Sequence, residues 1–212
     1  MSYKAYFFDF DGTIGETGAD IRAAWLKAIR HFDLPQEPFD RSFQIGPTPL
    51  ESLAMLYPEM SEADRNNFFE VYKSFYDDAE DYQALPYAGV TGMLQKRHDA
   101  GKKVYVVTNK RYKPLRKLLY KFGCADFVDG IFSPDIIDPV NHLKKSDSLA
   151  LALHIAAVDA KDSLMVGDTD IDINVGKINH TATCAVTWGY GSLKSLVNAC
   201  PDHLIESPAD LP

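Results

Sequence analysis

The sequence has little cysteine and no excess of positive charge. Its three cysteines, Cys124, Cys184 and Cys200, lie far apart and form no CxxC or Cys/His spacing. This scarcity argues against a disulfide framework and against a zinc finger. Lysine and arginine total 22 against 30 aspartates and glutamates, which gives a net charge of −8. So acidic a chain lacks the basic surface that binds nucleic acid or anionic membranes, and neither partner is expected.

Long apolar segments are also missing from the sequence. No run approaches the roughly 20 residues that span a membrane, and the first residues, MSYKAYFFDFDG, show no signal-peptide pattern. The six histidines have no HxH or HExxH spacing, so a zinc site is not expected. With cysteines that are most simply reduced thiols, these features predict a cytoplasmic protein.

Short apolar segments alternate with helical patterns over most of the chain. Strands are predicted at 6–8, 104–107, 128–132, 164–166 and 182–186, and helices at 89–100, 114–122 and 146–157. Strands that alternate with helices form a parallel sheet with right-handed crossovers. The sequence therefore predicts an α/β protein built on a parallel sheet.

A block of helices interrupts this alternation after the first strand. Three helix-start patterns mark the block: Thr17-x-x-Asp20, Thr48-Pro49-x-Glu51 and Ser61-x-x-Asp64. In each pattern a hydroxyl side chain is followed three residues later by a carboxylate, which is typical of a capping box. The interpretation is a discontinuous core, residues 1–15 and 86–212, that carries an inserted α-helical cap domain at 16–85.

Polar side chains follow three of the predicted strands. They occur in the segments Asp9-Phe10-Asp11-Gly12-Thr13, Thr108-Asn109 and Gly167-Asp168. In open parallel sheets, ligands bind in the crevice outside the carboxyl ends of the strands. Segments that are distant in sequence are therefore predicted to meet at one site.

The same segments, in the same order, resemble the motifs of the haloacid dehalogenase-like (HAD) hydrolase superfamily. The residues from Asp9 to Thr13 resemble its signature, Thr108-Asn109-Lys110 closes its second motif, and Gly167-Asp168-Thr169-Asp170-Ile171-Asp172 resembles its acidic motif. The sequence looks most like phosphoglycolate phosphatases with a helical cap after the first motif. This resemblance implies a Rossmann-like parallel-sheet core with an inserted helical cap, and an Mg²⁺-dependent phosphatase that forms an aspartyl-phosphate.

The resemblance also implies a role for each motif residue. Asp9 would attack phosphorus, and Asp11 would protonate the leaving alcohol and later deprotonate water. Thr108 and the backbone N–H of Asn109 would bind the phosphoryl group. Magnesium would be held by Asp9, by the backbone carbonyl of Asp11, and by Asp168, because oxygen ligands suit this cation.

Two assignments stay open at the sequence level. The lysine that neutralises the phosphoryl group is Lys144 or Lys145, and the Lys-x-Asp-apolar pattern favours Lys145. Asp172 either completes a capping box with Thr169 or orients the site from outside the ligand set, and both roles are compatible. Lys110 is expected at the rim of the site, and assistance to the phosphate is its alternative role.

The cap segment from Arg41 to Thr48, which contains Gly46, is where relatives place a substrate-discriminating loop. Its alternative interpretation is a turn between helices. The expected partner is a small phosphorylated metabolite, such as phosphoglycolate or a sugar phosphate, and the chain is expected to be a monomer or a homodimer.

Four other functions compete with a phosphatase. A dehalogenase of the same family needs no second aspartate, so Asp11 argues against it. A sugar-phosphate mutase would use the same two aspartates and remains the main alternative. A phospho-receiver signalling domain places its acceptor after the third strand rather than the first. A non-catalytic scaffold is disfavoured because the motif residues are retained.

Overall fold

The computed structural model describes residues 3–137 and 144–212, and in these ranges the chain forms two sheets. The strands are β1 (Ala5–Phe8), β2 (Gly15–Glu16), β3 (Leu85–Pro86), β4 (Lys103–Val107), β5 (Gly130–Phe132), β6 (Ser163–Gly167), β7 (Ala182–Val186) and β8 (His203–Ile205). The larger sheet has six strands in the order β5-β4-β1-β6-β7-β8. All of its strand pairs are parallel, which confirms the predicted α/β fold.

Strand β1 lies at the centre of this sheet because both of its faces are apolar. Tyr6 and Phe8 point into the larger hydrophobic cluster, which also includes residues of the helical block. Phe7 points to the opposite face and packs in a second cluster with Leu149 and Met165. A continuously apolar strand of this kind is stable only where helices cover both faces of the sheet.

Helices surround the large sheet and fill the segment between β2 and β3. They are α1 (Gly18–His31), α2 (Glu37–Ser42), α3 (Pro49–Leu56), α4 (Glu62–Tyr76), α5 (Val90–Asp99), α6 (Tyr112–Lys121), α7 (Pro134–Ile137), α8 (Lys145–Ala156), α9 (Asp170–Ile178) and α10 (Leu193–Asn198). No helix in the described ranges is long and apolar enough to cross a membrane.

Helices α1, α2 and α4 pack around one buried tryptophan. The indole of Trp25 on α1 contacts the rings of Phe39, Phe43, Phe68 and Tyr72, with ring centroids 5.0 to 5.9 Å apart. Aromatic residues at helical spacing therefore serve as packing, because each buries a large apolar surface.

A short ribbon connects this helical block to the rest of the chain. Strands β2 and β3 pair in antiparallel fashion, with Gly15 opposite Pro86 and Glu16 opposite Leu85. The chain thus leaves and re-enters the region of the large sheet at neighbouring positions. We propose on this basis that residues 16–85 form a cap domain on a core of residues 1–15 and 86–212.

Of the three predicted helix starts, one lacks its predicted side-chain cap. Thr48 and Ser61 do accept hydrogen bonds from the N–H groups of Glu51 and Asp64. Thr17, however, makes no side-chain cap. Its hydroxyl donates to Asp11 instead, at 2.6 Å. Tertiary partners therefore replaced the local helix cap, and a sequence pattern alone does not reveal such competition.

Two further predictions differ from the structure in detail. The strand predicted at 128–132 is confined to Gly130–Phe132, and a 3₁₀ turn at Ala125–Phe127 ends just before the predicted start. The edge strand His203–Ile205 was not predicted at all. Its three residues are too few to show an alternating pattern.

Asp20 joins helix α1 to the segment that leads into β3. Its two carboxylate oxygens accept the backbone N–H groups of Gln83 and Ala84, at 2.9 and 2.8 Å. We expect Asp20→Ala to lower the free energy of unfolding by roughly 2 kcal/mol, the scale of hydrogen bonds to a charged group. Urea denaturation measures this loss. The matched control is Asp81→Ala in the same segment, where the side chain is exposed; equal losses in both variants would contradict the assignment.

Candidate active site

Three adjacent parallel strands deliver the predicted site residues to one edge of the sheet. Asp9 directly follows β1, Thr108 follows β4, and Asp168 follows β6. Because β4 and β6 flank β1 and all three run in the same direction, their carboxyl ends lie side by side. The predicted convergence at this edge is therefore present.

A buried lysine lies against the first carboxylate. The Nζ atom of Lys145 is 2.7 Å from Oδ1 of Asp9 and 2.6 Å from Oδ1 of Asp172. Lys144, the other candidate, is exposed at the start of helix α8. A helix start thus directs one lysine inward and leaves its neighbour in solvent.

Asp172 combines the two roles that the sequence left open. Its Oδ1 accepts from Lys145, while its Oδ2 accepts from the N–H and the hydroxyl of Thr169, at 3.0 and 2.7 Å. The carboxylate therefore stabilises the start of helix α9 and fixes the ammonium of Lys145 at the same time.

Asp168 is held by donors on both of its oxygens. Oδ1 accepts from the hydroxyl of Thr13 at 2.9 Å, and Oδ2 accepts from the N–H of Tyr190 at 2.7 Å. The backbone comes so close that a side chain at Gly12, which has φ of +87°, would collide with Oδ2 at 2.1 Å. Glycine at this turn is thus required both by the left-handed conformation and by the approach of Asp168.

Negative charge is concentrated among these buried groups. Burial and the neighbouring carboxylates of Asp172 and Asp11 raise the pKa of Asp9 to about 6, against the opposing effect of Lys145. Burial, Asp172 and Asp9 raise the pKa of Asp168 to about 8. Although burial disfavours a charged ammonium, Asp172 and Asp9 outweigh it and raise the pKa of Lys145.

The carboxylates fit a divalent cation. Asp9, Asp168 and Asp172 each offer an oxygen, and these oxygens lie within 4.8 Å of one another. Opposite ligands of one octahedral Mg²⁺ lie about 4 Å apart, and the cation prefers oxygen donors. All three carboxylates already accept hydrogen bonds or an ion pair, so these contacts do not select among them as ligands.

Asp11 has a separate environment. Its Oδ1 accepts from the hydroxyl of Thr17 at 2.6 Å and from Nζ of Lys110 at 2.8 Å. The side chain of Lys110 is only 2% exposed, so the prediction that this lysine lies at the rim is wrong. Its ammonium also donates to the hydroxyl of Tyr76, on helix α4. The buried ion pair and the contact with α4 hold Lys110 inside.

A cavity of about 70 Å³ opens between these residues and the helical block. Asp9, Asp11 and Thr108 line it on one side, and Gln44 and Tyr76 line it on the other. Thr108 is buried, and its hydroxyl accepts the N–H of Lys110 at 3.1 Å. A small polar ligand in this cavity would contact both parts of the chain.

Asn109 also reaches the predicted substrate-discriminating loop. Its side-chain amide donates to the carbonyl of Gly46 at 2.9 Å. The loop therefore touches the candidate site, whereas a simple turn between helices would require no such contact.

Sequence reasoning missed several residues that shape the site. Their shared feature is that they orient a motif carboxylate or its lysine: Thr13, Thr17, Tyr76, Lys110 and Tyr190. Thr13 and Lys110 lie inside the motifs that carry the resemblance, so the motifs are a signal that could have identified them. Tyr76 lies on an aromatic helix face that looks like ordinary packing, so no local signal distinguishes it.

Comparison with known proteins places this chain in a family. Residues 6–186 match the haloacid dehalogenase-like hydrolases. The chain belongs to this family. The predicted resemblance and the expectation of a hydrolytic enzyme are thereby confirmed.

Similar proteins carry phosphatase names. A phosphoglycolate phosphatase from Aquifex aeolicus is 29% identical, over 98% of this chain and 94% of the relative. A pyrophosphatase PpaX from Bacillus velezensis is 27% identical over the same shares. The crystal structure of a predicted phosphatase from Clostridium acetobutylicum has a TM-score of 0.86 at 23% identity, covering 99% of this chain and 96% of that one. At this identity, the structural match supports the fold alone.

The contacts of Lys145 generate a prediction that separates the two lysines. Lys145→Ala removes the cation beside Asp9, and we expect kcat to fall on the order of 10²–10³-fold, as for loss of one charge-stabilising group. Lys144→Ala is the matched control, because it removes an exposed neighbouring ammonium. Steady-state phosphate release from a monoester measures both; a larger loss in Lys144→Ala would reverse the assignment.

Proposed function

We propose that this chain is an Mg²⁺-dependent phosphatase that hydrolyses a small phosphate monoester through an aspartyl-phosphate on Asp9. The main support for this proposal is the position of Asp9. Asp9 lies against a buried ammonium, has an oxygen within 4.8 Å of one of Asp168, and lines the same cavity as Asp11 and Thr108. A nucleophile, a proton-transfer group and a hydroxyl donor thus face one space.

In the first half-reaction, a carboxylate oxygen of Asp9 attacks phosphorus and a new O–P bond forms. The bond from phosphorus to the alcohol oxygen breaks, and its electron pair goes to that oxygen. Asp11, entering in its protonated form, donates a proton to the departing oxygen. Lys145 lies 2.7 Å from Asp9, where its charge offsets the charge on the transferring group.

In the second half-reaction, Asp11 is a carboxylate and takes a proton from water. The water oxygen attacks phosphorus, the bond from phosphorus to Asp9 breaks, and inorganic phosphate leaves. Asp9 is regenerated as a carboxylate. Thr108 and the N–H of Asn109 would hold phosphoryl oxygens in both steps, which keeps the phosphorus in line with its attacker.

A bound Mg²⁺ would neutralise charge on the phosphoryl oxygens and on the carboxylates around it. Its ligands would be the side chains of Asp9 and Asp168 together with the backbone carbonyl of Asp11. The raised pKa values of Asp9 and Asp168 support this assignment, because burial and then the neighbouring carboxylates disfavour the charged forms that a bound cation would stabilise.

The size of the cavity and the names of the relatives support a small substrate, such as phosphoglycolate, pyrophosphate or a sugar phosphate. The free thiols of Cys124, Cys184 and Cys200 support a reducing, cytoplasmic location. We retain the monomer or homodimer as part of the proposal.

The test of this function is Asp9→Asn, assayed on a panel of small phosphate esters with Mg²⁺. Wild type is expected to release inorganic phosphate from several monoesters without a bisphosphate activator. Asp9→Asn should retain less than about 1% of that activity and should not incorporate phosphate from a labelled substrate, because the amide is a poor nucleophile.

Circular dichroism of Asp9→Asn controls for a loss of fold. Turnover by a folded Asp9→Asn would remove Asp9 as the nucleophile. Isomerisation of β-glucose 1-phosphate much faster than hydrolysis of any ester would favour the sugar-phosphate mutase.

Metal removal gives a second prediction for the proposed function. EDTA should abolish turnover and Mg²⁺ should restore it, while Ca²⁺ should restore little because it adopts larger and looser coordination. Asp168→Asn should raise the Mg²⁺ concentration needed for half-maximal activity by roughly 10–100-fold, the scale seen when a group in a metal site is altered. Full turnover in EDTA would contradict the metal site.

A further inference from the structure

One oxygen of Asp11 is anchored by two donors. Thr17 and Lys110 both bind Oδ1, from different segments of the chain. Within residues 3–137 and 144–212, no hydrogen bond of this carboxylate involves Oδ2, although Asp11 lines the cavity. Anchoring one oxygen leaves the other as the atom that can exchange a proton with a ligand.

Lys110 is held in place through both its ammonium and its backbone. The ammonium lies 5.7 Å from the ring centroid of Phe10 and 4.6 Å from that of Tyr76, beside its bonds to Asp11 and the Tyr76 hydroxyl. Its backbone carbonyl accepts the hydroxyl of Ser133 at 2.7 Å. A lysine fixed at both its backbone and its ammonium has little freedom to leave Asp11.

Tyr76 connects this lysine to the helical block. It occupies the last position of helix α4, and its ring stacks on Tyr72 with centroids 5.8 Å apart. Burial and the nearby Asp11 raise the pKa of Tyr76 well above its usual value, so the hydroxyl stays protonated and accepts from the ammonium. The contact exists only while α4 packs over the sheet edge.

We propose that Lys110 is a positioning residue that holds Oδ1 of Asp11, and that Tyr76 makes this positioning depend on the placement of helix α4. The proton-transfer group is thereby oriented only when the helical block covers the site. This inference rests on the proposed function, and it assigns Lys110 a role distinct from that of Lys145, which lies against Asp9.

The test compares two esters that differ in their need for an acid. The leaving group of phosphoglycolate is an alkoxide, which needs a proton as it departs. The leaving group of p-nitrophenyl phosphate is a stable phenolate, which needs little help from an acid. The parameter is kcat/KM, which reports the steps up to release of the alcohol or phenol. It therefore excludes the later attack of water, in which Asp11 acts on both substrates alike.

The variant is Lys110→Met, which keeps a long apolar stem in the buried position. We expect its kcat/KM for phosphoglycolate to fall on the order of 10²-fold, as for a misplaced general acid, and for p-nitrophenyl phosphate to fall less than about 3-fold. The inhibition constant of inorganic phosphate should stay within about 3-fold of wild type, because Lys110 is not assigned to phosphate binding.

Two further variants keep the result interpretable. Tyr76→Phe retains the ring, and it should show the same selective loss for phosphoglycolate at roughly 10-fold, because one hydrogen bond to a charged group is removed. This variant serves as the test if Lys110→Met does not fold.

Lys113→Met is the matched control. Its exposed ammonium also pairs with the helical block, at Asp78, and does not contact Asp11. It should leave both substrates unaffected.

Several outcomes would overturn the inference. Equal loss on both esters with a weaker phosphate inhibition would make Lys110 a phosphate-binding group. Equal loss with unchanged inhibition would make it merely structural. Asp11→Asn separates the two levels of the argument: a selective loss there without one in Lys110→Met rejects only the role of Lys110. No selective loss in Asp11→Asn rejects the acid role of Asp11, and the inference with it.

Discussion

Buried negative charge at the carboxyl edge of the sheet is the constraint on which the site depends. Parallel strands bring Asp9 and Asp168 together, and helix α9 adds Asp172, where little water remains to screen them. Such a cluster is unfavourable unless cations and donors are placed against it. Lys145, the hydroxyl of Thr13 and the N–H of Tyr190 meet part of this requirement. The remaining imbalance is what makes the edge suitable for a divalent cation.

The two aspartates of the first motif are treated differently by the fold. Asp9 meets Lys145 and the other carboxylates, whereas Asp11 turns away to Lys110 and Thr17. Each carboxylate therefore has its own lysine, delivered by a different segment of the core. Separate partners allow one side chain to serve as a nucleophile and the other to transfer protons, although only Phe10 stands between them in sequence.

Much of this arrangement could be predicted because it depends on local pattern. Apolar strands followed by polar residues predicted the sheet, its polar edge and the grouping of Asp9, Thr108 and Asp168. Contacts that depend on tertiary placement could not be predicted. The pairing of Thr17 with Asp11 replaced an expected helix cap, and the burial of Lys110 depends on a tyrosine 34 residues away. A lysine next to a turn is ordinarily solvated, so the local sequence does not indicate that Lys110 is buried.

The antiparallel ribbon of β2 and β3 has a mechanical consequence. Both covalent connections to the helical block run through this one pair of strands, which are hydrogen-bonded to each other. Two connections at separate places would tether the block at two points and restrict its rotation. A single ribbon instead gives the block one covalent hinge, and a change of backbone torsion there would leave the aromatic core of the block intact. Rotation of the block about this ribbon would also break its contacts with the core, among them those of Arg111 with Asp77 and of Asn109 with Gly46.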